Sequence, residues 1–274
     1  MKKYLAIAMA ALLLVCSLAS CAGGNNGDIG NYTPEVDYLI TEKGTFYFEE
    51  AEGETAILVK YVGKATSGDH VEVPATFGDR TVTAIGKQAF YNLSAIVEIT
   101  IPDSVTVIDD YAFARCTELT ELKLPAGLLT IGEGAFLECT KLEKVDLGTS
   151  IETIDEKAFY GCSALVDIPL PSSLKTIGKA AFTLCGALTS LTVPASVETI
   201  GELAYTDCLK LESITIANAN AEIGSHAFEN SDGTNFKDKF VVDGLAEDSK
   251  VLKYVNELSD TPVVPETEAV TEAE

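Results

Sequence analysis

Seven cysteines and two histidines are the residues of this 274-residue chain best suited to redox, metal or nucleophilic chemistry. Five of the cysteines, Cys116, Cys139, Cys162, Cys185 and Cys208, recur every 23 residues. Such a series invites a disulfide set or a thiolate metal site. A fixed period puts one thiol at the same point of each stacked unit, with neighbouring Cα atoms about 5 Å apart. Disulfides accept that spacing, but parallel side chains in a ladder seldom reach the dihedral of about 90° that the bond requires. Five is also an odd number. Metal ligands must converge from different directions, which a linear column does not offer. The expectation is therefore five small buried hydrophobes, and Leu93 fills the same slot one period earlier.

His70 and His226 are read as having no cysteine or carboxylate partner at metal-ligand spacing. No G-x-S-x-G or similar nucleophile context is present. Carboxylates are so abundant, 42 acidic against 19 basic residues, that pairs of them carry no weight. Asn25-Asn26-Gly27-Asp28 lacks the alternating acids of a calcium loop. A non-enzymatic chain without cofactor or metal is expected. The net charge of -23 argues against nucleic acid, which needs cations to neutralise phosphates, and against anionic lipid bound through a basic patch.

The cysteines must be positioned by whatever repeats with them. Ile85, Ile108, Ile131, Ile154, Ile177, Ile200 and Ile223 are 23 residues apart, and five residues after each comes an aromatic: Phe90, Phe113, Phe136, Phe159, Phe182, Tyr205 and Phe228. This is the signature of a leucine-rich-repeat solenoid, in which each coil contacts only its neighbours. In residues 105–127, Val105, Ile108, Ala112, Phe113, Cys116, Leu119, Leu122 and Leu124 read as interior. Leu122 and Leu124 alternate with Glu121 and Lys123 as in a short strand, which Pro125 ends. Residues 109–115 are long enough for about two turns of helix or 3-10 helix. The expected class is an α/β solenoid, right-handed, with short strands on one face, short helical segments on the other, a central aromatic column and a cap at each end.

The unit I-G-x-x-A-F-x-x-C-x-x-L-x-x-L-x-L-P, as in Ile131–Cys139 and Ile177–Cys185, resembles the BspA-type (Treponema-type) leucine-rich repeat over residues 82–231. The resemblance implies a bacterial surface protein engaged in protein binding or adhesion to host proteins and cells, with no catalytic motif. Departures are Gly148 and Ala217 for the strand-ending proline, Asp109 and Asp155 for glycine, and Ser231 for cysteine. Asn220 stands where other coils are apolar, which suggests a loosened last coil.

At the start, Lys2 and Lys3 precede an apolar run from Leu5 to Val15 and then small residues, the pattern of a secretory signal over 1–20. Leu18-Ala19-Ser20-Cys21 resembles the bacterial lipobox. That resemblance implies cleavage before Cys21 and its acylation, with stable membrane attachment by two or more chains. Residues 21–36 read as a tether and 37–81 as an N-terminal β cap. Residues 232–258 read as a cap built of a strand at Lys239–Val242 and a helix started by Asp248 or Ser249. Residues 259–274 form an acidic tail expected to be disordered. The protein is expected to be exported, facing outward, and in contact with membrane only through its anchor.

Outward positions of the strand face form two columns, Glu98, Glu121, Lys144, Asp167, Ser190, Ser213 and Thr100, Lys123, Asp146, Pro169, Thr192, Thr215. They suit an extracellular or host protein, or a glycan; they equally describe a solvated sheet, and a structural envelope component is a further alternative. Tyr91, Leu137 and Tyr160 share a column on the opposite side and are either partner anchors or core.

Overall fold

Threonine and isoleucine are stiff at χ1 and fit a pleated surface, and the Thr-Ile pairs at 130–131, 153–154, 176–177 and 199–200 adopt extended backbone, as do Ala84-Ile85, Val107-Ile108 and Glu222-Ile223 at the other periods. The structure, a computed structural model, describes residues 37–63, 69–242 and 245–258. Residues 1–20, Cys21, residues 22–36 and the tail from 259 lie outside them. The strands are β1 (Asp37–Ile40), β2 (Gly44–Ala51), β3 (Thr55–Gly63), β4 (Asp69–Glu72), β5 (Thr76–Phe77) and β6 (Arg80–Ile85), then β7 (Ile96–Thr100), β8 (Val107–Ile108), β9 (Glu121–Lys123), β10 (Thr130–Ile131), β11 (Lys144–Asp146) and β12 (Thr153–Ile154). They continue with β13 (Thr176–Ile177), β14 (Ser190–Val193), β15 (Thr199–Ile200), β16 (Ser213–Ile216) and β17 (Glu222–Ile223).

The molecule is a β-solenoid of about seven turns with very little helix. The isoleucines themselves form a parallel ladder, β6-β8-β10-β12-β13-β15-β17, in 23-residue register from Ile85 to Ile223. On another side of each coil, β4, β7, β9 and β11 form the strand-face sheet, and β14 with β16 takes the equivalent place further on. Between these two pieces stands Pro169, which has no N–H to give to a ladder. Its coil keeps a single bridge, Lys144 to Asp167.

The expected helical face is not there. Residues 109–115 are turns in which Tyr111 (φ 54°) and Arg115 (φ 63°) are left-handed, so no right-handed run can continue. Alternate N–H groups leave the coil altogether. Those of Tyr111, Phe113 and Arg115 donate to the carbonyls of Glu133, Ala135 and Leu137 in the next coil at 2.7–2.8 Å. Those of Ala112, Ala114 and Cys116 close tight turns at 3.1–3.2 Å. Stacking thus supplies the bonds that a helix would have made internally, and it wins over the local preference. The same two positions are left-handed in most coils, yet only Gly134 and Gly161 put glycine there.

The aromatic column is the axis of the core. From Phe90 to Phe228 successive ring centroids are 4.9–5.3 Å apart, with planes within 13° of parallel. Tyr61 of β3 continues it at one end, 5.4 Å from Phe90. At the other, Phe240 meets the Phe228 ring edge-on at 5.1 Å.

The meander β1-β2-β3 is antiparallel, and β3 then pairs in parallel with β6. The C-terminal segment departs from expectation. Lys237–Lys239 is a 3-10 turn and Phe240 makes one bridge to Ile214, so the strand expected at Lys239–Val242 does not form. Helix α1 (Lys250–Glu257) follows, with the Ser249 hydroxyl accepting the Leu252 N–H at 3.1 Å and Val251 and Val255 buried. The coil before it slips by one residue rather than loosening. The Ala221 N–H bonds to the Asn218 carbonyl as the Val197 N–H does to Pro194, and Ala221 is fully buried where Asn220 would have been.

Candidate interaction surface

Alternation along the strand-face sheet buries Leu122, Val145, Leu191 and Ile214 and leaves their neighbours outward. Glu98, Glu121, Lys123, Lys144, Asp146, Asp167 and Ser190 are exposed, and Ser213 is half-buried. All eight share one side of the sheet. Glu121 stands opposite both Glu98 and Lys144, Lys123 opposite Asp146, and Ser190 opposite Ser213. Two carboxylates facing each other repel; Lys144 Nζ, 3.2 Å from Glu121, offsets that repulsion, and His70 Nδ1 lies 3.0 Å from Glu98. The face divides at Pro169. The half toward β4 is charged and mostly acidic, and the half on β14 and β16 carries Ser190, Thr192, Ser213 and Thr215.

Clefts open along the charged half. One of about 490 Å³ lies between β4 and the turn Thr41–Lys43. A second, about 330 Å³, is lined by Glu98, Asp103, Glu121 and Lys123. A third, about 430 Å³, sits at the ladder break between Asp146, Val166 and Pro169.

The cysteine column lies away from all of them. Each of the five is free and buried, and each is more than a small hydrophobe. The thiols of Cys116, Cys139, Cys162, Cys185 and Cys208 donate to the carbonyls of Phe90, Phe113, Phe136, Phe159 and Phe182 in the preceding coil at 3.2–3.3 Å. Burial pushes the Cys116 and Cys208 thiols up to about 12 and the others well above the ordinary value. Thiols held protonated are poor nucleophiles and poor metal ligands.

His70, read from sequence as having no carboxylate partner, touches both Glu98 and the Thr100 hydroxyl, the latter at 3.3 Å. The 28-residue offset between His70 and Glu98 falls outside the 23-residue period, which hid the contact. A threonine, an imidazole and a carboxylate in series resemble a relay. With the histidine and glutamate side chains 45% and 65% exposed, it lacks the enclosed pocket that nucleophilic catalysis uses. His226 pairs with Glu229 at 3.0 Å. Among the described residues no three or more His, Cys, Asp or Glu converge as a metal site. On the opposite side Tyr91 is 40% exposed, whereas Leu137 and Tyr160 are half-buried. Nearby, the Tyr111 hydroxyl donates to Glu133, which with burial raises the phenol to about 12.

The family model described as BspA type leucine rich repeat region matches in 6 copies over residues 83–211 and 130–239, more than half of the chain. Among solved structures, a T. pallidum leucine-rich-repeat protein is 29% identical, with a TM-score of 0.62 over 72% of this chain and 87% of that one. A leucine-rich-repeat protein of Eubacterium ventriosum is 26% identical, with a TM-score of 0.60 over 71% of this chain and 50% of that one. A leucine-rich cell surface protein of Faecalibacterium prausnitzii is 26% identical, with a TM-score of 0.54 over 66% of this chain and 54% of that one. No curated protein matches.

Proposed function

The chain belongs to the BspA-type leucine-rich-repeat family, and from that premise we propose that it is a non-enzymatic, lipid-anchored bacterial surface protein whose strand face binds an extracellular protein. The observation that carries this reading is the outward charge ladder centred on Glu121, Lys123, Lys144 and Asp146. The Lys144–Glu121 pair is 76% and 66% exposed, and exposed ion pairs contribute only about 0–1 kcal/mol to stability. Charges so placed do little for folding and are available to a partner. A carbohydrate partner would favour exposed aromatics in the clefts. Phe46, the aromatic lining the largest of them, is only 1% exposed, so the protein reading is preferred. The cell-surface description of the F. prausnitzii relative agrees with export, and Cys21 supplies the anchor.

The test is binding of the mature chain to an array of purified extracellular matrix and envelope proteins. A Glu121→Ala, Lys144→Ala, Asp146→Ala variant should lose a binding partner by more than tenfold while melting as the parent does. Silence toward every protein on the array defeats the reading. Cys21→Ser should release the protein from the membrane fraction, and continued sedimentation with membranes rejects the anchor.

A further inference from the structure

Among the described residues, the N-terminal cap covers one ladder and leaves the other open. β3, β2 and β1 extend the isoleucine ladder beyond β6. The strand-face sheet simply ends at β4. In a parallel pair, alternate residues turn both backbone groups toward the partner strand. The Val73 N–H donates to the Thr100 carbonyl at 3.0 Å, so Val71 and Val73 serve the β7 side. His70 and Glu72 therefore point their N–H and C=O groups the other way, where a preceding coil would lie. Among the described residues neither has a backbone hydrogen bond there. The opposite end of the strand-face line is closed, since the Val241 N–H donates to the Ile214 carbonyl at 2.8 Å.

A bare strand edge is a template for another chain, and folded proteins usually cover or blunt it. Here the edge borders the cleft of about 490 Å³, walled by Thr41–Lys43 and Pro74 with Phe46 and Val73 as floor. We propose that this cleft receives an extended segment of a partner protein, added as a strand to β4, in which apolar residues alternate with Lys or Arg. The backbone groups of His70 and Glu72 supply the pairing. Inward side chains of the added strand meet Pro74, Ala75 and Pro102 along the cleft wall, above the buried Phe46 and Val73. Outward ones fall beside Glu72 and within the field of Glu42 and Glu98. The occupant is cationic because this chain carries a net charge of -23, which repels both an acidic segment and a second copy of itself. The proposal rests on the solenoid being a protein-binding scaffold and names the partner's local chemistry.

The test uses the mature chain and a fluorescent seven-residue peptide of alternating Lys and Val, with a Glu and Val peptide as control. Anisotropy should show the cationic peptide binding at least tenfold tighter. Glu72→Pro removes an N–H that faces the cleft and not β7, and should weaken binding more than tenfold. Glu72→Lys keeps the N–H but reverses the charge, and should weaken it about fivefold or more. Both variants should keep the parent's circular dichroism. Hydrogen exchange at the His70 and Glu72 amides should slow when peptide binds. Equal affinity for the two peptides, no binding at millimolar peptide, or binding without protection of those amides overturns the proposal. The array experiment separates the two readings: if Glu72→Pro still binds the matrix partner and the Glu121, Lys144, Asp146 variant does not, the scaffold stands and the edge site falls.

Discussion

Tyr205→Phe should make the protein more stable. Tyr205 is the one member of the aromatic column, Phe90 to Phe228, that carries a hydroxyl. Its ring is fully buried and stacks on Phe182 at 5.1 Å and Phe228 at 5.2 Å, nearly parallel to both. Its hydroxyl has no hydrogen-bond partner among the described residues. A buried unsatisfied polar group costs about 1–3 kcal/mol. Removing one oxygen leaves a void smaller than a methyl group, whose cost is below about 1 kcal/mol. The net gain is about 1–2 kcal/mol, which for a body of this size raises the melting midpoint by about 2–4 °C per kcal/mol. Urea unfolding followed by circular dichroism should show a higher midpoint at unchanged slope. The pH dependence gives a second check. Burial, and then the neighbouring Cys208 and Cys185, hold the Tyr205 phenol well above its ordinary 10.0. The unfolded chain therefore releases that proton first, so the parent loses stability as pH rises past about 10, and the variant lacks this component of the loss. A variant destabilised by 1 kcal/mol or more refutes the argument, because the hydroxyl would then have a partner.

Phe159→Ala removes a ring stacked 5.2 Å from Phe136 and 5.3 Å from Phe182, and should cost about 3–5 kcal/mol in chemical denaturation. An unchanged midpoint rejects the column as core. Gly134→Ala and Gly161→Ala both force alanine into a left-handed conformation, at about 1–2 kcal/mol each. At Gly134 the new Cβ would also sit 2.5 Å from the Tyr111 ring, whereas at Gly161 the nearest atom is 3.5 Å away. Gly134→Ala should therefore be the worse by about 1–3 kcal/mol, and equal melting points contradict the clash. The five buried thiols should make the fold alkali-sensitive. Their folded pKa values lie above the ordinary 9.0, chiefly through burial. The stability they protect is complete below pH 9 and is lost above it, at about 1.4 kcal/mol per pH unit for each thiol. Cys162→Ala should make the slope between pH 9 and 11 shallower, and an identical slope sinks the assignment.

The solenoid and its core were legible because the signal repeats: a single apolar slot proves little, but Ile, Phe and Cys recurring at one period leave few alternatives. The outward face followed from alternation around Leu122 and Val145. What stayed hidden was bonding between coils. Residues 109–115 read as helix because Tyr111 and Arg115 give no warning of left-handed backbone, and their N–H groups find acceptors 22 residues on. The two-residue strands ending in isoleucine are too short to announce themselves, yet stacked they form the longest ladder among the described residues. The cysteine thiol looked like mere filler because its acceptor lies in another coil. Ala221 displaced Asn220 from the core because burying an alanine costs nothing, whereas an amide there would need partners. At β4 the alternation Val71-Glu72-Val73 within the cap is that of a half-buried strand, but its bare side is not written there, since sequence does not say where pairing stops.

The charge now has a structural role. A solenoid that binds its neighbours through ladders has a standing hazard at each end, because an exposed edge is complementary to any other extended backbone, including a copy of itself. Among the described residues, one end closes the strand face with Val241, and the other leaves His70 and Glu72 open beside a cleft. Burial cannot protect that end without abolishing it as a site. Charge can do both jobs at once. With 42 acidic residues against 19 basic, two such edges repel on approach, while a cationic strand is attracted to the same groups. On the proposed reading, the same acidity keeps the open edge soluble and favours a cationic partner. The argument has a sharp consequence: Glu72→Lys together with Glu98→Lys should not only weaken the cationic peptide but promote self-association at low salt, measurable by sedimentation velocity. A variant that stays as monodisperse as the parent means the acids are not what guards the edge.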